Sequence, residues 1–264
     1  MDLGLKDRRA LVCASSQGLG YACALALSRE GARVVINGRN PEKLAAARDR
    51  IAGETGSVVE AVVADLGTQE GRKTLLDAAG DVDILVNNNS GPPPGHFASW
   101  DEAAWLSAIN ANMLPALMLI RGVLPGMQAR KFGRIVNITS AMVKTPVAPM
   151  GLSTAARTAL TAACKALAPE VAADNVTINS LLPERFDTER QQQMARLTMA
   201  MKNITYEQAR EEIANSIAAK RFGRPEELGD ACAFLCSAQA GFISGQQLQM
   251  DGGSYRGLIY GGWT

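Results

Sequence analysis

The chain has 264 residues, 47% of them hydrophobic, and a formal net charge of +1. That suits one sizeable α/β core, and it leaves no basic block for nucleic acid or an anionic membrane surface. Lys6, Arg8 and Arg9 run straight into a short apolar strand, so neither a signal peptide nor a membrane-length span is expected.

Short apolar runs alternate with helical patterns along the chain. Residues 10–13 read as a strand and 19–30 as a helix; 34–37 as a strand and 41–52 as a helix that Asn40 caps and Pro41 starts. The pattern repeats with strand 58–63 and helix 69–79, strand 84–86 and helix 101–127, then strand 134–138 and helix 153–173. Strand 177–181 is followed by an irregular insertion at 184–222, a helix at 225–237 opened by Glu226 and Glu227, and a closing strand at 247–250. Near-continuous apolar strands separated by helices predict a Rossmann-like, doubly wound parallel α/β sheet of about seven strands with helices on both faces. One domain over 1–264 is expected, with no linker and no internal repeat. Cys13, Cys23, Cys164, Cys232 and Cys236 form no paired framework. Cys232 and Cys236 share a helix face, where core packing is expected rather than a metal, in a cytoplasmic protein with reduced thiols.

The first strand leads through Ser15, Ser16, Gln17, Gly18, Leu19 and Gly20 into a helix. Glycines at that turn let the backbone approach a pyrophosphate, and the free N–H groups of the helix start then bind the anion. Further motifs follow. Residues 86–91 read Val-Asn-Asn-Asn-Ser-Gly, 133–140 read Gly-Arg-Ile-Val-Asn-Ile-Thr-Ser, 179–183 read Asn-Ser-Leu-Leu-Pro, and Ser244-Gly245-Gln246 leads to Asp251-Gly252-Gly253. Together these resemble the short-chain dehydrogenase/reductase family over essentially the whole chain. Cys13 and Ala14 depart from that family's fingerprint, standing where Thr and the first Gly are usual.

The resemblance implies a nicotinamide cofactor held by Ser15–Gly20, by Asp65 and Leu66 at the adenine, by Asn88, and by Pro183 and Thr188 near the nicotinamide. NAD folds place an acid at the end of the second strand. Here that end reads Ile36-Asn37-Gly38-Arg39-Asn40. No acid is present, and the Arg39 fork suits a 2′-phosphate, so NADP is expected over NAD, although Gln17 stands where many NADP-using relatives carry a base.

The family's catalytic groups are Asn, Ser, Tyr and Lys. Asn112 matches the asparagine, with Asn110 its competitor, and Ser140 matches the serine. Thirteen residues beyond Ser140, where Tyr-x-x-x-Lys is expected, the chain reads Ser153-Thr-Ala-Ala-Arg157. The helix continues beyond Arg157 without a gap, so the tyrosine is replaced in register. A serine is a far weaker acid than tyrosine, and arginine does not share in proton transfer. Arg157 is expected to bond ribose hydroxyls or stabilise an alkoxide. Losing one positioned acid costs roughly 10²–10⁴-fold in rate.

Three readings follow. In the first, the chain is an atypical NADP-dependent oxidoreductase on a carbonyl or alcohol, with a proton from His96, Tyr206, Tyr255, Tyr260 or a held water. In the second, it is a cofactor-binding pseudoenzyme with a regulatory or structural role. In the third, Arg157 faces an acidic substrate in a different reaction. Segment 184–222 falls at the family's substrate lid. Glu184 replaces the usual glycine there, and Met194, Met199 and Met201 suit either an acyl-chain wall or an amphipathic helix. The layout resembles 3-oxoacyl-carrier-protein reductases, which implies a small-molecule substrate such as an acyl thioester, and a homotetramer.

Overall fold

The computed structural model describes residues 1–255 and 257. Seven strands lie within them: β1 (Arg9–Val12), β2 (Arg33–Gly38), β3 (Val59–Val63), β4 (Ile84–Asn87), β5 (Gly133–Ile138), β6 (Val176–Pro183) and β7 (Gln247–Met250). They form one sheet in the order β3-β2-β1-β4-β5-β6-β7, with every neighbouring pair parallel. The order reverses beside β1, between β2 and β4. That opens a crevice at the carboxyl ends of the strands, the usual ligand position in such sheets.

The helices are α1 (Gly18–Arg29), α2 (Pro41–Thr55), α3 (Gln69–Ala79), α4 (Glu102–Asn112), α5 (Leu114–Ala129), α6 (Gly151–Val171), α7 (Glu189–Lys202), α8 (Tyr206–Asn215) and α9 (Pro225–Cys236). Side chains alternate across a strand, so each strand feeds two cores. Ala10, Val12, Val34, Ile36 and Val86 pack under α1, α2 and α9, with Leu27, Leu44 and Leu228. Leu11, Val35, Leu85 and Ile135 pack under α3, α5 and α6, with Leu75, Leu119 and Leu160. Each fully buried side chain of this size stabilises the fold by about 1.5–3 kcal/mol. Cys23 joins Cys232 and Cys236 in the first core, and Cys232 and Cys236 are held well above the ordinary thiol range by neighbouring thiols and by burial.

Two expectations need correction. The single helix at 101–127 is two helices, broken at Met113. Pro115 has no N–H and its ring crowds the carbonyl of Ala111, so the helical ladder cannot pass. Glu102–Ala129 taken together also has the length and mean hydropathy (1.5) of a membrane span, which sequence reading did not anticipate. In the fold its parts pack against α6, α3 and β5. The insertion after β6 is not irregular but a helical hairpin, α7 and α8. Ala195, Ala209 and Ile213 form a small core of its own, with Met199, Ile204, Tyr206 and Phe222 packed against it. Its base is pinched by a bridge between Phe186 and Gly223. Asp187 clamps Arg210 through two hydrogen bonds of 3.0 and 2.8 Å.

Candidate active site

The loop between β1 and α1 is shaped for close backbone approach. Gly18 has φ +61°. A Cβ on Gly20 would lie 2.5 Å from the Ala14 carbonyl oxygen and 2.8 Å from Asn88 Nδ2, so only glycine fits there. Asn88 Nδ2 also donates to Ala14 O at 3.1 Å, tying the loop to the end of β4. Ala14 itself adopts φ +45°. That left-handed conformation costs an L-residue about 1–2 kcal/mol. It marks why a glycine is usual at this point.

A cleft of about 490 Å³ opens beside the loop, lined by Ser16, Gln17, Arg39, Asp65 and Leu66 among others. Ser15 turns inward: its hydroxyl donates to Val12 O at 2.7 Å, and it accepts from Asn37 N at 3.1 Å. Leu19 packs into the first core. Arg39 is joined in the cleft by Lys43, a cation not anticipated from sequence. Lys43 sits on the first turn of α2, where its N–H is capped by Asn40 Oδ1 at 2.8 Å, and its Nζ reaches Gln17 Oε1 at 3.4 Å. Its four-residue spacing from Arg39 was the signal available. Asp65 Oδ1 accepts from Gly67 N at 2.9 Å and shapes the turn beneath the cleft.

The catalytic end is built where α6 crosses the tips of β4 and β5. Ser153 and Arg157 are 5% and 8% exposed. Arg157 Nε donates to Ser153 Oγ at 3.3 Å. Its Nη1 donates to Ile138 O and Thr139 O, both at 2.9 Å, and its Nη2 to Asn89 O at 3.0 Å. Four of its five N–H donors are thus spent on the scaffold. The group expected to serve a ribose or an alkoxide here also ties the two strand tips together. Burial, and then the charge of Arg190, lower its pKa to about 10, so it stays cationic near neutral pH. Gly91 stands directly over the pair: a Cβ there would lie 3.3 Å from Ser153 Oγ. Ser140 Oγ accepts from Met142 N at 3.2 Å.

Asn112 ends α4, 5% exposed, and its Oδ1 is buried without a partner. It borders a cavity of about 20 Å³ lined also by Asn87, Asn89, Leu160 and Arg157. One water needs about 10–15 Å³ on this measure and two or more polar partners. The helix break accounts for the opening: Ala111 O, freed by Pro115, is taken by Asn89 Nδ2 at 2.6 Å. Asn110 lines the larger cleft instead.

Pro183 ends β6, and the reversal after it falls on Arg185 (φ +56°), not on Glu184. Thr188 then lies across from the phosphate loop, its methyl 3.9 Å from a Cβ placed on Gly18. The neighbouring residues fasten α7 over the site. Gln17 Nε2 donates to Glu189 Oε2 at 2.6 Å, and Arg190 donates to Pro92 O at 3.2 Å. The other side is aromatic. Trp100 is wedged against Gly95 and Gly151, and Trp105 meets Trp100 and Phe97 edge-on at 5.7 and 6.3 Å. Sequence reading missed this wall, because only the fold brings residue 100 to the start of α6.

Of the alternative proton donors, His96 is exposed at the start of a 3₁₀ turn. Tyr206 packs in the α7–α8 hairpin beside Arg210, and the Tyr255 ring lies 5.6 Å from Lys144 Nζ. Tyr260 lies outside the described residues. Met199 packs inside the hairpin, while Met201 is exposed, so the methionines form no continuous wall.

Comparison with known proteins adds a frame. A family model described as enoyl-(acyl carrier protein) reductase matches residues 13–255. The chain is 31% identical over 259 residues to the NADPH-dependent reductase BacG of Bacillus subtilis (strain 168), covering 96% of this chain and 100% of that one. It is 32% identical over 254 residues to the 3-oxoacyl-[acyl-carrier-protein] reductase FabG of Vibrio harveyi, covering 96% and 99%. The crystal structure of L-sorbose reductase from Gluconobacter frateurii, complexed with NADPH and L-sorbose, superposes with a TM-score of 0.93 at 29% identity, covering 98% of this chain and 100% of that one.

Proposed function

The chain belongs to the short-chain dehydrogenase/reductase family, and from that premise we propose that it is an NADP-dependent oxidoreductase acting on the carbonyl or alcohol of a small molecule without a tyrosine acid. The observation that carries the reading is a glycine-turn cleft with Arg39 and Lys43, whose lining residue Ser90 precedes the Gly91 that stands over Ser153 Oγ. NADPH, when bound, supplies the hydride. The glycine turn at Gly18 and Gly20 admits its pyrophosphate. Arg39 and Lys43 would hold the 2′-phosphate, since the end of β2 carries no acid to repel it.

The chain's own residues then position and polarise the substrate. Ser140 Oγ accepts from Met142 N, and Ser153 Oγ accepts from Arg157 Nε. Each hydroxyl keeps its own hydrogen for a substrate oxygen, and a donor behind each makes it a stronger hydrogen-bond donor. Arg157 adds a fixed positive charge without exchanging a proton. The proton is taken from bulk solvent and relayed by a water at Asn112 Oδ1, the buried acceptor that otherwise has no partner, so that no hydroxide is left behind. Without a titrating acid, turnover falls by roughly 10²–10⁴ relative to a site that has one.

FabG-like 3-oxoacyl thioesters and small ketones are the substrates to try. The α7–α8 hairpin acts as the lid. Leu106 and Ile109 on α4, and Phe234, Phe242 and Leu248 on another surface, leave apolar groups exposed. These support a homotetramer, and the proposed location is the cytoplasm. The test is NADPH titration by fluorescence, followed by oxidation assays on ketones and 3-oxoacyl thioesters. Oxidation that Ser140→Ala and Ser153→Ala each reduce supports the reading. Binding without oxidation identifies a cofactor-binding protein instead, and absence of binding overturns both.

A further inference from the structure

The loop from Asn89 to Pro92 is held from two sides by arginines. From beneath, buried Arg157 donates to Asn89 O at 3.0 Å; from the lid, Arg190 donates to Pro92 O at 3.2 Å. The two differ in what they have left. Arg157 has spent four N–H donors on the scaffold, whereas Arg190 is exposed at the second residue of α7 and has one recorded bond. Arg185, Arg210 and Lys202 of the lid are paired, with Glu184, Asp187 and Glu212, and Arg196 on α7 is exposed but makes no bond to the Asn89–Pro92 loop. Among the described residues no carboxylate lies within 4.0 Å of Arg190 or of Arg157. The nearest acid in sequence, Glu189, is turned away to Gln17 at 2.6 Å.

Two like charges therefore face one short loop with no counter-charge between them, close enough for Arg190 to depress the ionisation of Arg157. An anion seated beside Arg190 would supply that counter-charge. Thr188 makes no side-chain cap at the start of α7, whose first turn also carries Glu189. The position is informative too. Gly91, next to Pro92, stands over Ser153 Oγ. An anion on Arg190 is therefore about one residue along the loop from the hydroxyl that meets the reacting oxygen.

Resting on the reductase reading of this site, we infer that the substrate is a small oxo acid whose free carboxylate is received by Arg190. A guanidinium grips a carboxylate through two parallel N–H bonds, which a neutral ester or sugar does not accept with comparable strength. The cofactor's pyrophosphate is the other anion within reach of the lid, and the experiment separates the two.

The probes are 3-oxobutanoate and 4-oxopentanoate, each paired with its methyl ester. NADPH oxidation is measured with wild type, Arg190→Gln and Arg190→Lys. Binding of the same probes to the NADP⁺ complex is followed by saturation-transfer NMR. The expected result is an acid-over-ester preference of roughly tenfold or more, as a hydrogen bond to a charged group provides. Arg190→Gln abolishes that preference, Arg190→Lys keeps part of it, and the NADPH dissociation constant holds. An equal or better ester overturns the inference while leaving the reductase standing. So does an Arg190→Gln variant that loses NADPH affinity yet keeps the acid-to-ester ratio, since Arg190 then serves the pyrophosphate. Acid binding that needs Arg190, without oxidation of any probe, upholds the carboxylate site and overturns the reductase reading. Neither binding nor oxidation with any probe overturns both.

Discussion

Replacing Arg157 by methionine removes the charge but keeps most of the stem. Three backbone carbonyls, of Ile138, Thr139 and Asn89, then lose donors inside the protein. Each charge-assisted bond is worth about 1.5–3 kcal/mol. Relief from burying a cation offsets several kcal/mol of that gross loss, and breaking buried ionic arrangements nets about 3–5 kcal/mol. Total stability for such a domain is about 5–15 kcal/mol, so the fold survives but weakens. A melting temperature lower by roughly 6–20 °C follows at about 2–4 °C per kcal/mol. Urea unfolding followed by circular dichroism gives the difference directly. Arg157→Lys should recover only part of it, because a single ammonium cannot span two strand tips. Ionisation adds a sign. The folded value is depressed to about 10, below the ordinary guanidinium value, so the unfolded chain holds more protons between the two, and stability from this group rises with pH there. Below that window both states are protonated, so the gap between wild type and variant should be flat from about pH 6 to about pH 9. A loss under about 1 kcal/mol with an unchanged urea slope would refute the clamp and return Arg157 to a role toward ligand.

Three further outcomes are expected. Arg39→Ala and Lys43→Ala should each weaken NADPH binding by roughly tenfold and leave NADH nearly unaffected, since only the 2′-phosphate distinguishes them; equal losses for both cofactors would remove the pair from that phosphate. Ala14→Gly relieves a residue at φ +45° and should raise stability by about 0.5–1 kcal/mol after the added freedom of the unfolded chain is counted, as read by thermal unfolding; a destabilised variant would show that the methyl packs usefully. Glu227 is held down to about 2 by the Arg221 guanidinium and the Arg224 N–H, so its stabilising contribution is complete above its ordinary value of 4.5 and fades as pH falls toward 2. Glu227→Gln should flatten the pH dependence of the urea midpoint in that window, and an unchanged slope would mean that the pairing does not persist in solution.

Much of the molecule was legible in the chain because it is locally written. A near-continuous apolar run in a strand needs no knowledge of its partner, and such runs correctly implied a sheet covered on both faces. The turn at Gly18 and Gly20, and the missing acid before Arg39, are also properties of a few consecutive residues. The helix break at Met113 was legible in principle, since Pro115 is plain to see, but a long apolar pattern concealed it. The lid helices were less so: their apolar positions are few, and they form a small core only against each other.

Sequence alone determined the family, the sheet and the glycine turn after the first strand, because these follow from spacing along one chain. Only the tertiary structure decided what the replacements do. Ser153 and Arg157 share a helix turn in any reading. Whether the guanidinium faces ligand or scaffold depends on carbonyls of residues 89, 138 and 139, which the chain brings together only when β4, β5 and α6 meet. Lys43 beside Arg39 and Gln17, Trp100 beside Gly151, and Arg190 on Pro92 are likewise contacts between distant segments. Burial and hydrogen-bond partnership are properties of the packed molecule, and they show Arg157 bonded to three carbonyls of the scaffold and Arg190 exposed at the start of α7.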